Sequence, residues 1–373
     1  MIKRVVSKPD WSFLALLLIL LAFGLVMVYD SSVVTAASVF GGKYHFVLQQ
    51  LVWVFLGLLA FGFFAIFDYR RLDSWSAKLL IASLFFLILV LLPLPFSPAI
   101  YGAKRWFYFN PAPLPLVPFF DRLGFQPTEL AKLSLVIFLA SVFGKRRNNY
   151  FLRFSLVMLV FLGLSALEPD FGTTLILAVI GGSFMFIAGL PMLYFVLIAP
   201  ICATIGSLYI LSSPYRKARF LTFLGRGKSL ESGYHINQIL IALGSGGLWG
   251  LGLGESRQKY GFIPEVQTDS IFAIVGEELG LVGSVFLVLL FLALIWRGFQ
   301  IASNCKDNFG RFLVVGVMAW FSGQTLINLA AMTHLIPLTG VPLPLISYGE
   351  SSLVFMLSGL GVVFNVSRRK EKR

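Results

Sequence analysis

At 373 residues the chain is long enough for two soluble domains, but 58% of it is hydrophobic and only 13% charged, with a mean hydropathy of +0.86. A water-facing surface carries about twice that charge, so a soluble fold is excluded. The net charge of +13 does not describe a nucleic-acid binder either, because Lys and Arg gather at the ends of apolar runs and form no basic face interleaved with aromatics.

Apolar runs of about 20 residues match a hydrocarbon core of ~30 Å. Backbone groups in lipid must bond within their own segment, so these runs are expected to be helices. In chain order the spans are expected at Trp11–Tyr29, Tyr44–Phe67, Ala77–Phe96, Pro127–Gly144, Phe151–Leu167, Phe171–Leu190, Met192–Leu211, Ser270–Trp296, Phe312–Ile336 and Ser347–Val366. The first is too long and unbroken for a cleaved signal peptide and reads as a retained anchor. The expected fold is therefore an all-α polytopic bundle of about ten transmembrane helices, one integral membrane domain over 1–373. A large outer loop, 213–269, separates spans seven and eight, and a second outer loop covers 97–126.

Charge placement orients this bundle. With the N-terminus inside, the cytoplasmic segments carry eighteen Lys and Arg and the short outer loops four. The positive-inside rule then places both termini in the cytoplasm. The long outer loop holds seven more, but long loops cross largely regardless of charge.

Polar residues set against this pattern need a reason, since a charge in a transmembrane helix costs about 2.5–3.5 kcal/mol. Glu129 and Lys132 share a face of the fourth span at i and i+3, either as a pair that neutralises itself for insertion or as the lining of a polar cavity. Glu168, Pro169 and Asp170 break the chain near the outer face, as a tight turn or as part of a site. Asp269, followed by Glu277 and Glu278, stands at the mouth of the eighth span. It can act as a general base in water or cap the helix beginning at Ser270, and position alone favours the cap.

The run Gly244-Ser245-Gly246-Gly247, continuing to Gly250, Gly252 and Gly254, lacks the preceding strand and G-x-G-x-x-G spacing of a dinucleotide loop. Gly227-Lys228-Ser229 imitates a P-loop end without its first glycine. Close packing or bending at the membrane surface explains the glycines better. Arg216, Lys217, Arg219, Arg257 and Lys259 either hold a pyrophosphate or form a solvated basic loop near headgroups. Two cysteines, Cys202 in an apolar run and Cys305 in a connector, and three scattered histidines give no disulfide framework or zinc motif.

Several motifs stand in order along nearly the whole chain: GAKRW at Gly102–Trp106, FQPTELAKL at Phe125–Leu133, EPDFGT at Glu168–Thr173, GESRQKYGFIPEVQTDSIFAIVGEELG at Gly254–Gly280, Asn328, and PLTGVPLPLISYG at Pro337–Gly349. In these the sequence resembles the SEDS family (shape, elongation, division and sporulation), to which FtsW and RodA belong. The resemblance implies a ten-span enzyme that polymerises lipid II into glycan strands at the outer face of the bacterial cytoplasmic membrane, releasing polyprenyl pyrophosphate.

It also implies that Asp269 is the essential loop aspartate, which reverses the order of the two readings above. Substrate-binding positions are then expected at Arg105, Glu129, Lys132, Glu168, Asp170, Arg216, Arg219, Lys259, Glu265 and Ser347. A divalent cation (Mg or Mn) at Asp269 is the one cofactor implied. The implied partners are lipid II, a class B penicillin-binding protein supplying transpeptidation, and other divisome or elongasome membrane proteins, with no nucleic acid.

EPDFGT and GEELGLVG look like the division member and GVPLPLISYG like the elongation member; the balance leans to division. Two departures from the family pattern stand out: Glu350 in place of a glycine, and a longer loop between Trp106 and Phe125. A lipid flippase is the rival class, since paired charges in a helical bundle also suit translocation. A non-enzymatic division scaffold is the third reading. The candidate residues cluster toward the outer face rather than the midplane, which favours the enzyme.

Overall fold

The long apolar segments fold as helices wherever lipid leaves the backbone no other partner. The computed structural model describes residues 4–6, 9–99, 103–112, 114–115, 123–145, 149–211, 214–225 and 230–371. The helices are α1 (Trp11–Phe40), α2 (His45–Ile66), α3 (Arg71–Leu91), α4 (Pro127–Gly144), α5 (Tyr150–Leu167), α6 (Phe171–Ile187), α7 (Met192–Leu211), α8 (Pro214–Phe223), α9 (Leu230–Ser245), α10 (Ile271–Asn304), α11 (Asn308–Met332) and α12 (Glu350–Arg368). Eight of them, α1–α5 and α10–α12, are long and apolar enough to cross a membrane. The other two expected spans coincide with α6, an apolar helix of 17 residues, and α7, of 20 residues with Pro200 inside.

Helix starts follow local chemistry. Asp10 and Asp307 cap α1 and α11 by accepting from the N–H groups of Phe13 (3.0 Å) and Gly310 (3.1 Å). Pro127 opens α4 where its missing N–H is not needed.

The least hydrophobic of the eight spans are the most buried: α4 (83%), α11 (78%) and α12 (72%) form the centre. The more apolar α1, α2, α3, α5 and α10 turn Leu, Phe and Ile side chains outward, as expected when the surrounding solvent is lipid. Small residues let backbones approach: a Cβ on Gly361 of α12 would stand 2.6 Å from the Phe61 carbonyl oxygen of α2.

The chain ends meet on one face, where β1 (Arg4–Val6) pairs antiparallel with β4 (Arg369–Glu371). Arg297 joins Asp10 at 2.9 Å on that face, and Tyr69 donates to Asp307 at 2.9 Å. The opposite face gathers the described parts of the 97–126 loop, the α5–α6 junction, the 246–269 segment and the 333–349 loop. In the first of these, β2 (Phe107–Tyr108) pairs with β3 (Gly124–Phe125). Most of the extra length between Trp106 and Phe125, and the P-loop look-alike at 227–229, lie outside the described residues, as does the side chain of Cys202. Cys305 is in no disulfide, and its thiol donates to the Asp307 carbonyl at 3.4 Å. Glu350 opens α12, where a carboxylate suits the positive end of the helix.

Candidate functional site

The glycine run and the top of α10 form one structure. Gly280 (φ 66°, ψ −165°) kinks α10 and frees backbone groups on both sides. The glycine segment repairs the loss: Leu251 and Gly252 N–H donate to the carbonyls of Glu277 and Glu278 (both 3.0 Å), while Leu281 and Val282 N–H donate to Gly247 (2.9 Å) and Leu248 (3.1 Å). Such contact requires glycine, since a Cβ on Gly250 would fall 2.0 Å from the Glu278 carbonyl oxygen. The close packing expected of this run is seen at Gly246 and Gly250.

Two buried carboxylates organise the next loop. Glu277 accepts from the N–H groups of Arg257 (3.1 Å) and Gln258 (3.3 Å) and from the Ser256 hydroxyl. Glu278 accepts from Gly254 N–H (3.1 Å), Ser256 N–H (3.0 Å) and Lys259 Nζ (2.9 Å). Lys259 also donates to Asp30 Oδ1 and to the Gly254 carbonyl, both at 2.8 Å. Burial works to lower its pKa, but these bonds to Asp30 and Glu278 outweigh it and hold the ammonium above its ordinary value. All three donor hydrogens of this buried lysine are used within the protein. Lys259 thereby ties the loop to α1 and α10.

The loop leads to Asp269, half-buried on the face opposite the chain ends. It does not cap α10, whose N-cap is Ser270 without a side-chain cap bond. Its Oδ1 accepts from the Ser270 hydroxyl (3.3 Å) and lies 3.4 Å from the Thr268 hydroxyl, whose hydrogen goes to the Glu265 carbonyl; it enters no ion pair among the described residues. Oδ2 faces the 333–349 loop, 4.0 Å from where a Cβ on Gly340 would sit. Asn328 of α11 fixes the backbone by donating to the carbonyls of Asp269 (2.7 Å) and Val341 (2.8 Å). His235 of α9 places Nε2 3.0 Å from Ser270 Oγ. Burial holds the imidazole below its ordinary pKa; Asp269 pulls it up and Arg219 pushes it down, so all three share one neighbourhood.

The remaining expected residues divide between the surroundings of Asp269 and the frame. Arg219 of α8 donates to the Leu338 carbonyl at 3.3 Å and stays partly exposed, as does Arg216. Glu265 is exposed at a turn (φ 45°) whose carbonyl accepts the Thr268 hydroxyl at 2.7 Å. Glu129 and Lys132 pair at 2.8 Å, both buried, with Nζ 5.1 Å from the Trp320 ring centroid, which supports the neutralising pair. Ser347 is buried and its hydroxyl accepts Leu343 N–H at 2.8 Å, a bond internal to its loop.

At the α5–α6 junction Asp170 caps α6, accepting from Thr173 N–H (3.0 Å) and Thr173 Oγ1 (2.7 Å). Arg105 donates to the backbone carbonyls of Glu168 and Pro169. The Glu168 carboxyl is fully buried with neither oxygen bonded. Burial, aided by Asp170 and opposed by Arg105, raises its pKa to about 9, so it is neutral at pH 7.

No three His, Cys, Asp or Glu side chains converge among the described residues, and Asp269 offers one carboxylate flanked by two hydroxyls. Sequence reasoning missed His235, Ser270 and Asp30. No spacing rule links position 235 to 270 or 30 to 259; a charge at Asp30, late in an apolar run, was the one visible sign.

Residues 10–372 match the family described as "Cell cycle protein", that of FtsW, RodA and SpoVE. The stage V sporulation protein E of Bacillus subtilis (strain 168) is 36% identical over 370 residues, covering 97% of this chain and 98% of its own. The probable peptidoglycan glycosyltransferase FtsW of Geobacter sp. (strain M18) is 34% identical, covering 98% of each. Among solved structures, a chain of a peptidoglycan synthase complex, described for coordinating polymerization and crosslinking, superposes with a TM-score of 0.76 at 29% identity. That match covers 97% of this chain and 98% of the other. The rod shape determining protein RodA of Thermus thermophilus gives a TM-score of 0.68 at 28% identity, covering 97% of each. With the fold, the ordered motifs and near-complete coverage in agreement, this chain is a member of the SEDS family of polytopic membrane proteins.

Proposed function

We propose that this protein is a peptidoglycan glycosyltransferase that polymerises lipid II into glycan strands and releases polyprenyl pyrophosphate. The observation that carries this reading is the Asp269 carboxylate, half-exposed opposite the chain ends and tied up, among the described residues, by neither a helix cap nor an ion pair. In this reading Asp269 takes the proton of the acceptor sugar hydroxyl as it attacks the donor's anomeric carbon. Arg216 and Arg219 on α8 are suited to the negative charge of the departing pyrophosphate.

Among the described residues no group of three acidic or His/Cys ligands forms around Asp269, so a cation of the Mg or Mn type would be held there by this one carboxylate. Such an ion would supply further charge neutralisation; no step above depends on it. Lysine and arginine placement supports a cytoplasmic-membrane protein with both termini inside, and the β1–β4 pairing agrees with same-side termini. The relative found in a synthase complex supports a class B penicillin-binding protein as partner, and the FtsW and SpoVE relatives support a role in division or sporulation. The expected single domain over 1–373 accords with one continuous apolar core running from α1 to α12.

The test is reconstitution of the purified protein, with a cognate transpeptidase, on lipid II. Glycan polymer on gels is the expected result. Lipid flipping without polymer would support the flippase reading instead.

A further inference from the structure

Serine is among the best N-capping residues, and a cap contributes about 1 kcal/mol. Ser270 occupies the N-cap of α10 yet makes no side-chain cap bond. Its hydroxyl is turned elsewhere, toward Asp269 Oδ1 (3.3 Å) and His235 Nε2 (3.0 Å). A hydroxyl has one hydrogen and a carboxylate only accepts, so with both contacts made as hydrogen bonds that hydrogen goes to Asp269 and the imidazole supplies the other one. His235 then carries its proton on Nε2. Burial lowers the imidazole pKa, which favours the neutral ring.

We infer that His235 is a positioning residue for Asp269, acting through Ser270 in a chain of donors that runs from α9 to the carboxylate. The inference rests on the glycosyltransferase reading and adds to it a residue outside the loop motifs. Asp269 is anchored through its backbone by Asn328, which leaves the carboxylate free to rotate about its side-chain bonds. The hydroxyl of Ser270 restrains that rotation only if the hydroxyl is itself held. His235 supplies that hold from a separate helix, so the orientation of the base depends on how α9 sits against α10. The sacrificed cap is the kind of local cost found at functional sites.

The test compares three variants in the lipid II polymerisation assay. His235→Phe keeps the ring volume without the N–H, and should lower kcat roughly 10-fold to 100-fold at unchanged KM, the size of effect a slightly misplaced group produces. His235→Gln, whose side-chain amide nitrogen reaches a similar place, should restore most of that loss. Ser270→Ala should match His235→Phe, and the double variant should be no worse than either, because both break one chain. Unchanged kcat in His235→Phe, or additive losses in the double variant, overturns the inference. Nitrogen-15 NMR of labelled histidine provides a readout independent of turnover: a protonated Nε2 on His235 is expected, and protonation on Nδ1 instead overturns it. With His45 and His334 the only other histidines, assignment by replacement is direct. Wild type that fails to polymerise lipid II would strike the parent reading and leave the NMR result standing; active wild type with fully active His235→Phe would strike this inference alone.

Discussion

Lys259 and Glu278, nineteen residues apart, meet at 2.9 Å in a buried ion pair that Asp30 of α1 completes at 2.8 Å. The pair fastens the 254–259 loop to the top of α10, and Asn328 fastens its far end at Asp269. The segment between them is thus held at both ends by side chains from different helices. Removing one partner of such a cluster leaves charge buried without compensation. Lys259→Met should therefore destabilise the protein by about 3–5 kcal/mol, read as a lower unfolding midpoint in detergent. Adding Glu278→Gln and Asp30→Asn should recover part of the loss. A midpoint unmoved by Lys259→Met would remove the cluster from the architecture.

Glu168 gives a pH-dependent prediction. Its folded pKa of about 9 lies above the ordinary carboxylate range, so between roughly pH 4.5 and 9 the unfolded chain releases a proton that the folded protein retains. Its contribution to stability is complete below that window and is lost as pH rises through it. Glu168→Gln, which cannot ionise, should be more stable than wild type at pH 8, with the advantage shrinking toward pH 5. Thermal unfolding at the two pH values checks this; an equal difference at both would contradict it.

The Glu129–Lys132 pair should behave as a unit. Glu129→Gln or Lys132→Met alone leaves one buried charge in the most buried span, whereas the double variant leaves none. Each single change is expected to cut the yield of folded, monodisperse protein further than the double. Additive losses would show that the two side chains act separately.

Gly250→Ala places a methyl group 2.0 Å from the Glu278 carbonyl oxygen, at a residue already in the left-handed region (φ 82°). The segment must then part from α10 and lose the bonds that repair the Gly280 kink. Polymerisation should fall by at least tenfold as Asp269 loses its frame, while Gly244→Ala, which meets nothing within 4 Å, should be tolerated.

How far the sequence speaks depends on which force sets each feature. Lipid imposes helix on every long apolar run, so α4 and α7 begin and end where the pattern places them, and the other spans differ by shifts at their ends. α1 runs on to Phe40 because nothing in Ser31–Val39 breaks a helix once it leaves the apolar region. Asp269 is legible as a polar residue at a span mouth, but not the loss of its capping role, which depends on where Ser270 turns its hydroxyl. The partner of Lys259 is 229 residues away, and no local rule reaches that far. For the same reason Lys259 reads as a phosphate ligand in sequence and as an internal tie in space.

In the proposed reaction the Asp269 carboxylate takes the proton of the attacking hydroxyl. Asp269→Asn is nearly isosteric and keeps the Asn328 anchor, which uses only the backbone carbonyl. Compared with wild type on lipid II, at equal folded concentration, the variant should retain substrate binding and lose at least 100-fold in kcat. Polymerisation by Asp269→Asn at the wild-type rate would contradict the account.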